Sequence, residues 1–542
     1  MPWPHNGPIG RPLIMGTTAM VASAHPQATM AGLQILRAGG NAVDAAVAIS
    51  AALDVCEPFM SGLGGGGAML VRPPGEPPQA LHYGGRFPAA ACRASPTPGD
   101  IDKGPRAFAV PGAPAGWHAA LDRFGSKPVT EVLAPAIALA ETGVPLTRVG
   151  HAFFKGGIGR MGDAARAVFA PGGTAPPIGE LVRQPNLAAT YRTLAREGLA
   201  GFYQGDLARA TVAAVEAAGG WLAADDMHPA QAEWAEPSRT RYRGLHLFST
   251  GWPFTSYEAL LALNLLEALD RRHGGVASGT PDAWHRRIEA AKVAMTDRVA
   301  LGGESVALAP GLLSARYADL RADVVALDAV VTASGDRWNA RPEAGVLPAG
   351  DPGSVLRECT THFNVIDGDG MAVSVTQTLG SAFGSGFLVA ETGVLLNNLM
   401  FFFDLDAASP MSIQLGAMRS GPLSPIMAFD ANDLRLMIGT PGAFGIPQTT
   451  MQMVSNVLDG GMNVQAAIEA PRFRLSGGRK IAVEKRAGPE VMSALKALGH
   501  DIQELSAWSP LVGGGQGILI DPDNHVRSGG ADPRRDGYAL GY

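Results

Sequence analysis

Residues 360–398 read TTHFNVIDGDGMAVSVTQTLGSAFGSGFLVAETGVLLNN, two alternating runs on either side of the turn sequence DGDG. Alternation with period two builds strands, and a Gly-rich turn between two such runs closes them into a hairpin. With a three-residue loop of Gly368, Asp369 and Gly370, and Gly370 left-handed, pairing is centred on Asp369 and Thr360 faces Thr378. A two-residue loop would shift the pairing by one and weaken that opposition.

The rest of the chain is punctuated by 70 glycines and 41 prolines, which predicts many short elements joined by tight turns. Near the start, AHPQATMAGLQILRAGG reads as a helix stopped by Gly39 and Gly40. Asn41 then caps a second helix, with Asp44 in its first turn favoured by the helix dipole and Ala45, Ala46, Ala48 and Ala51 permitting close packing. Helical patterns dominate the middle, as in VLAPAIALAETG from Val132, LARATVAAVEAAGG from Leu207 and SYEALLALNLLEAL from Ser256. The stretch from about 325 to 358, containing RWNARPEAGVLPAGDPGS, is the most loop-like interior segment and stands directly before the hairpin.

With 542 residues, 46% hydrophobic and 17% charged, the chain can bury a large core. Its net charge of -6 with scattered Lys and Arg lacks the footprint of a nucleic-acid binder. Cys56, Cys92 and Cys359 are too few and too spread for a disulfide framework or a recognisable metal site, so no metal or cofactor is expected and small buried side chains are. Prolines and glycines interrupt the first residues where a secretory signal needs a continuous apolar run, and no segment is apolar for the roughly 18 residues of a spanning helix. The expectation is a soluble, cytoplasmic protein without a membrane partner.

Thr360 is the residue on which chemistry converges. A threonine hydroxyl is a weak nucleophile that needs an adjacent base, and an N-terminal amine on the same residue, with a reference pKa of about 7.7 to 8.0, can take its proton. That requires a threonine at the start of a rigid strand after a segment that can be cut, and Thr360 meets both conditions. An opposed Thr378 would fix its rotamer. An ordinary sheet hairpin fits the same pattern.

Longer motifs resolve the choice. GGNAVDAAVAISAALDVCEPFMSGLGGGGAML (39–70), AVPGAPAGW (109–117), LDRFG (121–125), TTHFNVIDGDGMAVSVTQTLGSAFGSG (360–386), ETGVLLNN (391–398), GTPGAFG (439–445), MNVQAAIEAPRF (462–473) and the closing ADPRRDGYALGY resemble the γ-glutamyltransferase family of N-terminal nucleophile hydrolases. The resemblance runs from about residue 15 to Tyr542. It implies an α+β fold, a four-layer αββα sandwich, made as one intertwined precursor of residues 1–542 and cut between Cys359 and Thr360 into fragments 1–359 and 360–542. It also implies that Thr360 is the nucleophile, that Thr378 is its partner, and that the backbone N–H groups of Gly442 and Ala443 form an oxyanion hole. The fragments are expected to stay associated, with a homodimer of such heterodimers as one further option. The Gly62–Gly67 run is not read as a phosphate loop, because it lacks the following Lys and Ser/Thr.

The departures from the family pattern concern the substrate. Where γ-glutamyltransferases hold the glutamyl carboxylate and ammonium with an Arg, an Asp, a Ser pair and an Asn, this chain has Gly84, Phe402, Gly421 with Pro422, and Gly380. An ammonium buried against Phe402 would have no partner, so that clamp is absent. Arg86 and Arg419 are candidates for a substrate carboxylate, a structural or surface role being open to each. His362 lies on the other strand face from Thr361, reads as packing or as a neighbour of the site, and is assigned no proton transfer. The expected function is a self-processing amidohydrolase of a small acid amide, resembling oxamate amidohydrolases. Cephalosporin acylase and γ-glutamyl hydrolase or transferase activity are the alternatives, and a non-catalytic binding protein is a remote one.

Overall fold

Alternating strands bury both faces only if each sheet meets another sheet on one side and helices on the other, and three separate apolar cores in this chain meet that need. The computed structural model describes residues 10–228, 231–301, 310–330, 359–403, 405, 406, 412, 418 and 421–542. Arg419 and the segment 331–358 lie outside the described residues.

One seven-stranded antiparallel sheet runs in the order Tyr538–Gly541, Met20–Ser23, Cys359–Ile366, Ala372–Gly380, Gly66–Arg72, Gln79–Tyr83, Glu233–Ala235. A second, also seven-stranded and antiparallel, runs Ile14–Gly16, Arg527–Ala531, Gln516–Ile520, Asp433–Gly439, Ile426–Asp430, Leu245–Ser249, Ser238–Tyr242. Between them lies a core that includes Met20, Leu70, Ile366, Met427, Met437 and Ile518. Phe363, Val365, Val373 and Val375 point to the other side of the first sheet, into helices Pro26–Arg37, Ala42–Cys56, Val129–Thr142 and Pro185–Glu197. Ile426, Ala428, Leu436 and Ile438 do the same on the second sheet, against Tyr257–His273, Pro281–Leu301 and Ile446–Leu458. These are the four layers of an αββα sandwich, the fold class the sequence motifs imply.

Helix Ala42–Cys56 is buried along nearly its whole length, which its small residues allow: a Cβ built at Gly32 on the preceding helix would stand 2.5 Å from Ile49 Cδ1. Asn41 and Asp44 form the expected capping box, and Asp44 also accepts hydrogen bonds from Ser126 and Lys127. Asp367, at the hairpin turn, accepts from Ala42 N at 2.9 Å and so ties the turn to the helix start. No helix among the described residues is long and apolar enough to cross a membrane.

Candidate active site

The hairpin adopts the three-residue loop: Ile366 pairs with Ala372, Asp367 N donates to Met371 O, and Gly370 has φ +86°. The ladder continues to Thr361 opposite Gln377, then shifts by one so that Cys359 pairs with Gly380. A bulge of this kind re-aims the side chain it contains. Here that is Thr360, whose Oγ1 donates to Thr378 Oγ1 at 3.2 Å. Thr378 Oγ1 also accepts from Gly380 N at 2.8 Å and donates to the Cys359 carbonyl oxygen. A hydroxyl has one donor and two acceptor sites, so all of Thr378's are used and the direction of each bond is fixed. Both threonines are 2% exposed.

The glycine run brings Thr378 into place. Gly66 pairs with Thr378, and a Cβ built at Gly65 would lie 2.5 Å from Thr378 O, or at Gly66 2.7 Å from Tyr83 O. Side chains there would push the strands apart, so the run serves close backbone approach. Gly380, the position of the family's Asn, has φ +98°, and a Cβ there would stand 2.3 Å from Asn398 Oδ1. Asn398 instead accepts from Ser381 N at 2.7 Å.

Strand Asp433–Gly439 of the second sheet meets strand Cys359–Ile366. A Cβ at Gly439 would lie 2.4 Å from His362 Cε1, so only glycine lets the two strands meet there. The turn that follows holds Gly442 at φ +138° and Ala443 at φ +43°. A non-glycine residue at positive φ costs about 1–3 kcal/mol, and the surroundings must hold it. Thr440 does so, donating to Pro441 O at 2.8 Å and accepting from Gly514 N at 3.0 Å. Among the described residues, neither Gly442 N–H nor Ala443 N–H has an acceptor, leaving two adjacent fixed donors for an oxyanion.

His362 is fully buried, and desolvation pushes its pKa down to about 3. Asn364 Nδ2 donates to Gln516 O and to His362 Nε2, each at 3.0 Å, while Asn364 Oδ1 accepts from Ser374. His362 Nδ1–H therefore donates to Thr376 Oγ1 at 2.9 Å. It is a neutral ring held within its own sheet, and Asn364 carries the hydrogen bond to the second sheet.

The substituted clamp positions interlock. A Cβ built at Gly421 would be 3.3 Å from Phe402 Cδ1, so the Phe402 ring fills space that a side chain at Gly421 would need. Phe402 meets Phe444, the residue after Ala443, edge to face with centroids 5.8 Å apart. Behind Phe444, Arg298 stacks over the ring at 5.1 Å and pairs with buried Glu258. Arg86 N donates to Gln231, and its guanidinium lies 3.4 Å from Glu233 on the edge strand.

Two charged residues that sequence reasoning passed over border strand Cys359–Ile366. Glu57, at the C-terminal end of helix Ala42–Cys56, is 1% exposed, and burial pushes its carboxyl up to about 8, with Asp536 adding to the rise and Arg535 and Thr361 opposing it. Arg535 is 3% exposed. Neither carried a sequence signal, since each reads as an ordinary polar residue beside a proline or glycine motif. Elsewhere, ligand atoms of buried His285, Glu289 and His500 lie within 4.8 Å of one another. Lys292 Nζ, 2.8 Å from Glu289 and 3.4 Å from His500, supplies the positive charge a metal ion would bring.

A family model described as Gamma-glutamyltranspeptidase matches residues 28–542. The chain is 34% identical to the acylase ACY 1 proenzyme of Pseudomonas sp. (strain SE83), over 96% of this chain and 93% of that protein. It is 31% identical to the oxamate amidohydrolase proenzyme of Klebsiella pneumoniae subsp. pneumoniae, over 97% of this chain and 99% of the relative. Among solved structures, the cephalosporin acylase from Bacillus halodurans superposes with a TM-score of 0.87 at 31% identity, covering 100% of this chain and 99% of that one.

Proposed function

Since the chain belongs to the gamma-glutamyltranspeptidase family, whose members act on amide bonds, we propose that it cuts itself between Cys359 and Thr360 and then hydrolyses a non-glutamyl amide through an acyl-enzyme on Thr360. The observation that carries this is the hydrogen-bond chain from the Thr360 hydroxyl through Thr378 to the Cys359 carbonyl. It aims a nucleophile and polarises the bond to be cut in one stroke. The two fragments would share both sheets, with strand Cys359–Ile366 lying beside Met20–Ser23, and so stay together after cleavage.

Once freed, the Thr360 amine near its pKa of about 7.7 to 8.0 takes the hydroxyl proton as Oγ1 attacks the substrate carbonyl. The Gly442 and Ala443 N–H groups hold the oxyanion, the protonated amine passes its proton to the leaving nitrogen, and water releases the acyl group.

The acyl group we propose is small and carries no α-ammonium. Phe402 seated on Gly421 narrows the recess and offers no counter-charge. For an oxamate-like acid amide, Arg86 is the described carboxylate receptor: its half-exposed pair with Glu233 is worth about 0–1 kcal/mol and exchanges readily. The Phe402–Phe444 wall favours a second reading, a longer apolar acyl chain as in an acylase. Incubating the enzyme with oxamate, an alkanoyl anilide and a γ-glutamyl anilide, and weighing the small fragment by mass spectrometry, tests both. Acylation of Thr360 by the oxamate acyl group is expected, and preferential γ-glutamyl adducts would refute the reading.

A further inference from the structure

The strand that bears Thr360 has a second side. Thr360 turns toward Thr378, whereas Thr361 faces the end of helix Ala42–Cys56, where Glu57 sits. Cys359 belongs to the same apolar cluster as Met60, and Arg535 Nη1 lies 3.3 Å from Met60 Sδ. Arg535 thus lies near Cys359, the residue before the cut, and Glu57 near Thr361, the second residue after it, with each acting electrostatically on the other.

This side of the strand is buried, polar and under-satisfied. Arg535 Nε is buried with no hydrogen-bond partner among the described residues, and the Thr361 hydroxyl is set against the Glu57 carboxyl. The acceptor that Arg535 does reach is a thioether. Gly514 makes room for the guanidinium arm, since a Cβ there would stand 2.6 Å from Arg535 Cδ. Asp532 and Asp536 act on Arg535 electrostatically and its guanidinium lies 5.8 Å from the Phe153 ring centroid, but no described carboxylate reaches it at ion-pair distance. A buried cation so placed calls for an explanation, and the nearest event that creates negative charge is the proposed chain cleavage.

We propose that Arg535 is an electrostatic positioning residue for self-cleavage: its charge near Cys359, held in no ion pair with a described carboxylate, favours the anion that forms on the Cys359 carbonyl oxygen, and Glu57 tunes that charge by its own ionisation. The inference rests on the self-cleavage reading. In that step the Thr360 Oγ1 to Cys359 carbonyl carbon bond forms, the Cys359–Thr360 C–N bond breaks, and the hydroxyl proton goes to the departing nitrogen. Water then hydrolyses the ester, leaving a Cys359 carboxylate and a Thr360 amine. The groups facing Glu57 are Arg535 and Asp536 from the C-terminal segment, Thr361 from the strand, and Cys56 from the preceding helix. Held neutral by burial, Glu57 leaves Arg535 unpaired; ionised above about pH 8, it neutralises Arg535 and slows the cut.

The test follows cleavage after cell-free synthesis of the full chain, by denaturing gel, from about pH 7 to about pH 9.5. Arg535→Met should slow the appearance of the small fragment about tenfold at neutral pH, and Arg535→Lys should recover part of the rate. The wild-type rate should decline above about pH 8, and Glu57→Gln should abolish that decline. Parallel pH profiles for wild type and Glu57→Gln would overturn the proposal, as would wild-type cleavage speed in a folded Arg535→Met chain. Should Arg535→Met fail to fold, the Glu57→Gln profile decides alone. A wild-type chain that never yields a fragment beginning TTHFN would defeat the self-cleavage reading itself, a separate result.

Discussion

Thr378 Oγ1 stands 3.2 Å from Thr360 Oγ1 and sends its own proton to the Cys359 carbonyl oxygen. One hydroxyl therefore touches both the atom we propose as the nucleophile and the carbonyl of the proposed cut. Thr378→Val keeps the shape but strips the donor and leaves Gly380 N–H and the Cys359 carbonyl unpaired. Cleavage should slow about 10²-fold, the cost of one lost oxyanion donor, while Thr378→Ser should stay within about tenfold of wild type. Time courses of fragment appearance on gels check both.

Phe402 and Gly421 are one feature written at two positions. Gly421→Ser alone puts a Cβ 3.3 Å from the Phe402 ring and should destabilise by about 1–3 kcal/mol through overpacking. Combined with Phe402→Ala, the same serine has room, so the double variant should be less destabilised than the two single changes sum to. Urea unfolding of the four proteins measures that coupling, and strict additivity would count against the interlock.

His362 makes a prediction about acid. Its folded pKa of about 3 lies below the ordinary imidazole value of 6.5, so between those values the unfolded chain binds a proton that the native chain does not. Stability contributed by the neutral ring is therefore lost as pH falls from about 6.5 toward about 3, at about 1.4 kcal/mol per pH unit. His362→Gln, whatever its absolute stability, should shallow the slope of unfolding free energy against pH across that window. An unchanged slope would mean the ring is not held neutral.

Local chemistry made much of this legible in advance. Gly370 set the hairpin register that opposes Thr360 and Thr378, and Asn41 with Asp44 marked the start of the buried helix, because each depends on neighbours a few residues away. What sequence reasoning missed is made of distant contacts. Gly65 and Gly66 matter for the strands that press on them, and Phe402 is matched to Gly421 only once both are folded. Glu57 and Arg535 come from near opposite ends of the chain. Arg86 reads from the sequence as a candidate for a carboxylate, and strand Glu233–Ala235 adds Glu233 as its partner, a pairing no spacing rule encodes.

The motif ADPRRDG anchors the C-terminal strand through charges with no access to water. Arg472, Arg534, Asp532 and Glu484 are all 0% exposed at the side chain. Arg534 Nε donates to Glu484 at 2.8 Å, and Arg534 Nη1 lies 3.1 Å from Asp532. Arg472 pairs with the same aspartate. Burial opposes ionisation of Asp532, yet the two guanidiniums prevail and hold its carboxyl at about 2. Asp532→Asn leaves two buried cations sharing Glu484 and should cost about 3–5 kcal/mol. Because the folded pKa is depressed, the contribution of Asp532 is present above about pH 3.8 and is lost as pH falls through about 2. Urea titrations at neutral pH and near pH 3 should therefore show a smaller penalty for Asp532→Asn in acid. A penalty independent of pH would mean the tetrad is held by packing rather than by charge.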